Sequence, residues 1–282
     1  MSIRTILVPL DGGPGDRSAL DAAVQVARPL GGHITALHVE IGPDEAMVGL
    51  PATGFYLSDS FCAELERANV AGETVPRRVF EQWRAQHHLA LVEGPGYVHG
   101  GSAAFVVDQG IDALCARALT ADLVVCPLFS PEQGGPPPAF ETALFDAGRP
   151  VLVVPRAAAV RNFEGVITVA WSASREGFRA LTAALPLIRG AREVVVLHAG
   201  DWQIADLQPI MDYLAWHGVS ARGDVLPGGE NPGQALLDAA KRLGKDLLVM
   251  GGYTHSRTRE RIFGGVTRHM LHQSDVPLWL SH

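Results

Sequence analysis

The residues best equipped for chemistry lie between Leu247 and Gln273. Gly251-Gly252 closes the apolar run Leu247-Leu248-Val249-Met250, an Arg-rich stretch follows, and Gly264-Gly265 opens an amphipathic run carrying Val266, Met270 and Leu271. This spacing predicts a buried strand, a glycine loop and a helix N-terminus. Backbone amides at such a start have no partner within the helix, and glycine lets an anion come close to them. Arg257, Arg259, Arg261 and Arg268 concentrate positive charge in a chain that is acidic elsewhere. Strand, glycine turn and helix also serve merely to reverse the chain in many α/β domains, so both readings stand at this point. The stretch is not a P-loop, because no Gly-Lys-Ser/Thr follows the second glycine pair.

Other reactive residue types point less clearly to chemistry. Ser172 and Ser256 lack the G-x-S-x-G setting of a hydrolase nucleophile. His38 and His198 follow equivalent strands, which suits satisfied near-core histidines. His87-His88 and His99 have no Cys, Asp or Glu at ligand spacing, so no metal site is expected. His255, His269 and His272 border the glycine loop. A general-base role for His269 would lack a neighbouring nucleophile. Cys62, Cys115 and Cys126 are odd in number and scattered, which suits a reducing cytoplasm; Cys126 reads as a small core residue.

The elements that must position these residues follow from apolar periodicity. Ile6 to Leu10 reads as a parallel strand buried on both faces. Asp11-Gly12-Gly13-Pro14 turns the chain, Asp16 or Ser18 can cap the next helix, and Gly31-Gly32 stops it. Ile34 to Val39 is the second strand. From Gly165 the pattern recurs without a gap: Ile6 falls on Val166, Asp11 on Trp171, and Leu37-His38 on Leu197-His198. Ala121 to Cys126 later falls on Lys245 to Met250, and Pro150-Val151-Leu152 on Pro277-Leu278-Trp279. The chain therefore reads as a duplication, with halves 1–156 and 163–282.

The first half carries about 36 extra residues within Ile41 to Gly101. They hold a predicted helix from Asn69 to His87, between Gly- and Pro-marked loops. A strand over Ser102–Val107 and a helix over Ile111–Ala118 follow. Their second-half counterparts are a helix near Ala205–Trp216, a strand near Val219–Leu226, and a helix over Pro232–Leu243 with Asn231 as its N-cap. The fold class is thus α/β, with two tandem doubly wound five-stranded parallel sheets of Rossmann-like type. Ligands in such folds sit beyond the carboxyl ends of the strands, where the winding reverses. That point lies between the first and fourth strands of each half.

Bulk composition bounds the rest. A length of 282 residues favours about two domains, and 47% hydrophobic residues supply an ample core. A net charge of −7 argues against a nucleic-acid partner. No apolar run is long enough to cross a bilayer, and the N-terminus lacks a signal-peptide profile. The expected location is cytoplasmic.

Val8-Pro9-Leu10-Asp11-Gly12 resembles the opening strand of the universal stress protein family. Gly251 with Thr254 three residues on, nine residues from His255 to Phe263, then Gly264-Gly265 and Thr267, resembles that family's nucleotide loop. The closing D-V-P-L-W-L is similar to tandem bacterial members. The resemblance spans nearly the whole chain except 41–101. It implies a stress-response protein that is regulatory rather than catalytic, with ATP or another adenine nucleotide as ligand and Mg as its companion. Slow ATP hydrolysis is a further alternative.

By position, the second half would hold the nucleotide through Gly251, Gly252, Thr254, Ser256, Arg257, Gly264, Gly265, Val266 and Thr267, with Ala170 and Trp171 on the adenine side. Trp171 stands where the family has an acid, and Thr254 replaces a loop glycine. Trp171 would either stack on the purine or fill its place. The first half keeps the acid and lacks the loop, which leaves Leu10, Asp11, Gly12, Val39 and Pro127 as a degenerate site. The alternative is an interaction module in which both sites are degenerate. In that case the halves pack as an internal pseudo-dimer through their fifth strands, able to pair again as a homodimer or meet a protein partner.

Overall fold

The computed structural model describes residues 2–42, 59–96, 101–129, 136–156, 162–244, 246–253 and 265–282. The first half runs β1 (Thr5–Pro9), α1 (Asp16–Leu30), β2 (His33–Glu40), α2 (Asp59–His87), β3 (Ala90–Leu91), β4 (Ser102–Gln109), α3 (Gly110–Leu119) and β5 (Leu123–Pro127). It ends with α4 (Pro138–Glu141), which continues as a π turn over Thr142–Asp146, and β6 (Val151–Val154). The second half runs β7 (Val166–Ala170), α5 (Arg175–Ile188), β8 (Glu193–Ala199), a 3-10 turn (Ile204–Leu207) leading into α6 (Gln208–Trp216), and β9 (Ala221–Leu226). It closes with α7 (Pro232–Leu243), β10 (Leu247–Gly251), α8 (Gly265–Gln273) and β11 (Leu278–Ser281).

Eleven strands form one sheet in the order β3-β4-β2-β1-β5-β6-β11-β10-β7-β8-β9. The pairings are parallel except at the centre, where β6 runs antiparallel to β11 with Leu152 opposite Trp279. The two expected sheets are therefore joined edge to edge. In each half the order reverses between the first and fourth strands, β1 beside β5 and β7 beside β10. β3 is an additional strand contributed by the insertion, parallel to β4 at the outer edge. Successive residues along each strand enter opposite cores. Val151 and Val153 pack on one face of β6 and Leu152 and Val154 on the other. Both cores draw residues from both halves, such as Leu152 with Ile167 on one face and Leu144 with Leu280 on the other.

The register corrects the sequence alignment of the halves. Ile6 opposes Ile34 and Leu123; the residue that opposes Val194 and Leu247 is Ile167, not Val166. Asp122 Oδ2 accepts the Thr5 N–H at 2.9 Å, and Asp246 Oδ2 accepts the Val166 N–H at 2.8 Å. Leu10 N–H donates to Leu37 O as Trp171 N–H does to Leu197 O. Trp171 therefore matches Leu10, and Ser172 takes the place of Asp11. The helices keep this offset, Ala19-Leu20 matching Ala180-Leu181, so the one-residue difference falls in the turn before the second strand. The slip was invisible because all five residues of β7 are buried. Without polar alternation, a one-residue shift leaves no mark in the sequence.

Helix boundaries differ locally for identifiable reasons. α2 starts at Asp59, ten residues before the expected Asn69, because its first half packs across strand ends and so lacks a full apolar stripe. Gly15, not Asp16 or Ser18, occupies the N-cap of α1. Asn231 caps α7 as expected, its side-chain oxygen accepting the Gln234 N–H at 3.0 Å.

Candidate functional sites at the two switch points

In the first half the β1–α1 turn is built around Asp16. Gly12 takes a left-handed φ of 83°, a region open to glycine, and its N–H donates to Asp16 Oδ2 at 2.9 Å. Asp11 Oδ1 accepts the Gly13 N–H at 2.7 Å. Asp16 is buried at 1% exposure. Burial, and then the charge of Asp11, push its carboxyl up to about 7. The same two causes push the Cys126 thiol up to about 12, so this cysteine stays protonated and packs as the small core residue expected.

These residues border a cavity of about 620 Å³ beyond the ends of β1, β2 and β5. Leu10, Asp11, Val39 and Pro127, four of the five expected first-half site residues, line it; Gly12 shapes the adjoining turn. The roof was not anticipated. Leu65, Ala68, Asn69 and Gly72 line the cavity from α2, at the spacing of one helical face. Asn69 fastens that face to the end of β2: its Oδ1 accepts the Ile41 N–H at 3.2 Å and its Nδ2 donates to Ile41 O at 3.0 Å. Further along, Phe80 and Trp83 anchor the helix in the core. The sequence signal was the small-residue stripe inside an otherwise polar helix. His38 sits on the cavity wall, its Nδ1 3.1 Å from Leu10 O.

The second switch point is built differently. Gly251 ends β10 against the first turn of α5, where a Cβ would lie 2.5 Å from Gly177 N. Gly251 is thus needed for close packing. In the first half the contact is reversed, since Pro127 fills the strand end and Gly15 gives way, a Cβ there falling 2.3 Å from Pro127 Cβ. Gly252 N–H donates to Ser281 O. Tyr253 is buried with a left-handed φ of 63°, a strained backbone that His88, at 53°, shares among the described non-glycine residues. Its ring packs on Phe145 of the π turn that follows α4, at 5.0 Å between centroids, bringing the first half against this strand end. Burial and the charge of Glu141 raise its phenol well above the ordinary range.

Thr267 is buried near the start of α8, and its Oγ1 faces the Tyr253 N–H at 3.4 Å, drawing the two ends of the loop together. Gly265 is exposed, and a Cβ there would meet nothing within 4 Å among the described residues. Val266 is half-buried, and Ala170 is buried at the end of β7. Trp171 is half-buried against the core. Ser172, in the acid's position, has its hydroxyl 3.2 Å from that of Ser174, which caps α5. His269 is held by α7, with Nε2 2.9 Å from Gln234 Oε1 and Nδ1 3.4 Å from Asn231 Nδ2, which argues against a free general base. His198 Nδ1 lies 3.0 Å from Trp171 O, so both repeated histidines satisfy a strand-end carbonyl as expected. Thr254, Ser256, Arg257 and Gly264 lie outside the described residues.

The sequence profile of the universal stress protein family matches residues 2–128 and 224–282. No curated protein matches the chain. A universal stress protein from Archaeoglobus fulgidus DSM 4304 superposes with a TM-score of 0.70 at 17% identity, over 99% of this chain and 96% of that one. A putative universal stress protein from Pseudomonas aeruginosa UCBPP-PA14 gives 0.58 at 15% identity, over 99% and 93%. A functionally unknown protein from Pseudomonas aeruginosa PAO1 gives 0.59 at 15%, over 99% and 92%. At these identities the likeness speaks to the fold.

Proposed function

Because the chain belongs to the universal stress protein family, we propose that its second half binds ATP or a related adenine nucleotide at the β7–β10 switch point, and that the nucleotide regulates the protein rather than being turned over. The halves 1–156 and 163–282 are read as two copies of one unit, paired internally through β6 and β11. The repeated Asp122 and Asp246 bonds to the first strand of each half support that reading.

The observation that carries the nucleotide reading is the start of α8. Gly265 puts no side chain there, and Thr267 draws the loop's two ends together. Backbone amides at a helix start, where glycine lets an anion come close, suit a phosphate. Gly265, Val266 and Thr267 would hold the anion. Ala170 and Ser172 would border the base and ribose, with Trp171 set back against the core. The bound nucleotide supplies charge and shape that favour one conformation or partner.

Melting the purified protein with and without ATP tests this. Ligand at 100 times Kd adds about 2.7 kcal/mol. A Gly265→Asp variant should keep the fold, because the position is exposed, a Cβ there meets none of the described residues and an acid suits a helix start, yet lose the ATP response by repelling phosphate. An unchanged melting curve of the wild-type protein with saturating ATP would refute the proposal.

One observation favours a second reading, a module whose two switch points have both left nucleotide binding. α2 arches over the first-half strand ends. Under that reading neither half responds to ATP.

A further inference from the structure

The cavity beneath α2 has the wrong chemistry for a phosphate. Asp11, Asp16 and Glu40 line it, and no Lys or Arg is among its described lining residues. His38 is more than nine-tenths buried. Its Nδ1 faces the Leu10 carbonyl, which can only accept, so Nδ1 donates and Nε2 of the neutral ring presents a lone pair. Among the described residues Nε2 has no partner, and it faces the cavity beneath Gly72. Asn69 has both amide atoms engaged on Ile41. Apart from the second N–H of Asn69, the polar side-chain atoms that line the cavity, on Asp11, Asp16, Glu40 and His38, can accept from a guest, and the rest of the wall is largely apolar, with Leu37, Val39, Leu65, Ile111 and Leu114.

Gly72 supplies an independent pointer. Glycine inside a helix costs about 1 kcal/mol relative to alanine. Gly72 is inside the 29-residue α2, and a Cβ there would meet only His38 Nε2, at an ordinary 3.8 Å. Close packing does not require glycine here. What glycine preserves is the space above His38. A cavity of about 620 Å³ accommodates a drug-sized molecule.

We infer that this cavity binds a small organic cation, with an apolar body under α2 and an ammonium group among Asp11, Asp16, Glu40 and His38 Nε2. The ammonium donates to these acceptors. It also supplies the positive charge that the Asp11–Asp16 pair lacks, which draws the raised Asp16 carboxyl back toward its ionised form. The site is in the other half from the proposed nucleotide site and is independent of it.

Three probes with one skeleton test the inference: 4-phenylbutylamine, 4-phenylbutanol and 4-phenylbutanoate, titrated calorimetrically into the full chain. The amine is expected to bind about tenfold or more tighter than the alcohol, and the carboxylate most weakly. Gly72→Leu fills the space and removes a helix glycine, so it should hold or raise Tm while weakening the amine about tenfold or more. Glu40→Gln should narrow the preference of amine over alcohol. Equal binding of the three probes, no binding of the amine, or undiminished amine binding to the Gly72→Leu protein would each overturn the inference. The ATP response should be the same in wild type and Gly72→Leu. Its loss in the variant would assign the nucleotide to this cavity and overturn both proposals, whereas its absence from the wild type bears on the nucleotide reading alone.

Discussion

A single carboxyl, that of Asp16, gives the first switch point a pH response of definite sign. Burial and Asp11 raise it from an ordinary 3.8 to about 7. Between those values the folded protein holds a proton that the unfolded chain has released. The stability linked to that proton is full at low pH and is lost as pH rises toward 7. Asp16→Asn keeps an oxygen for the Gly12 N–H and removes the repulsion. It should raise Tm over wild type at about pH 8, with the advantage shrinking toward about pH 5; thermal melts at the two values check this. Gly251 offers a steric test. Gly251→Ala drives a Cβ into the Gly177 amide and should cost about 1–3 kcal/mol in urea denaturation, whereas Gly265→Ala, whose Cβ meets none of the described residues, should stay within about 0.5 kcal/mol. Sequence alone made Gly251 a ligand glycine and Trp171 the replacement for an acid. Three-dimensional neighbours add a packing role to the first, since packing and ligand glycines look alike in a string, and correct the second, since an all-buried strand hides its register.

At the scale of elements, most of the α/β pattern was legible. α7 begins and ends where periodicity puts it, because its ends carry a capping Asn231 and the turn glycine Gly244. α2 was legible only where it anchors: Phe80 and Trp83 give a core stripe, while the stretch around Leu65 to Gly72 faces a cavity and has too little apolar content to signal a packed face. The two bonds from Asn69 to Ile41 tie that roof down. Asn69→Ala removes both and should cost about 1–3 kcal/mol. Hydrogen exchange should quicken in the first half of α2, with little change near Trp83. Equal protection in variant and wild type would show that the roof is held by something else.

For the whole molecule, the decisive feature is the antiparallel meeting of β6 and β11. It runs one sheet and two shared cores through both halves. Unfolding should therefore be one cooperative transition, with fluorescence and circular dichroism giving the same urea midpoint. Two separated transitions would mean that the halves are thermodynamically independent. A recurring strand-and-helix pattern was readable from the sequence, and the seam was stated only as an alternative, since nothing in Val151–Val154 or Leu278–Leu280 says which strand edge each will meet. The seam also bears on biosynthesis. β6 is wholly apolar, and β11 follows every other strand in chain order. While the chain is being made, a finished first half shows neighbouring molecules a bare, sticky edge that only its own closing segment can cover. Slow translation through the second half would lengthen that exposure, and nascent chains would then rely on chaperones or join one another edge to edge.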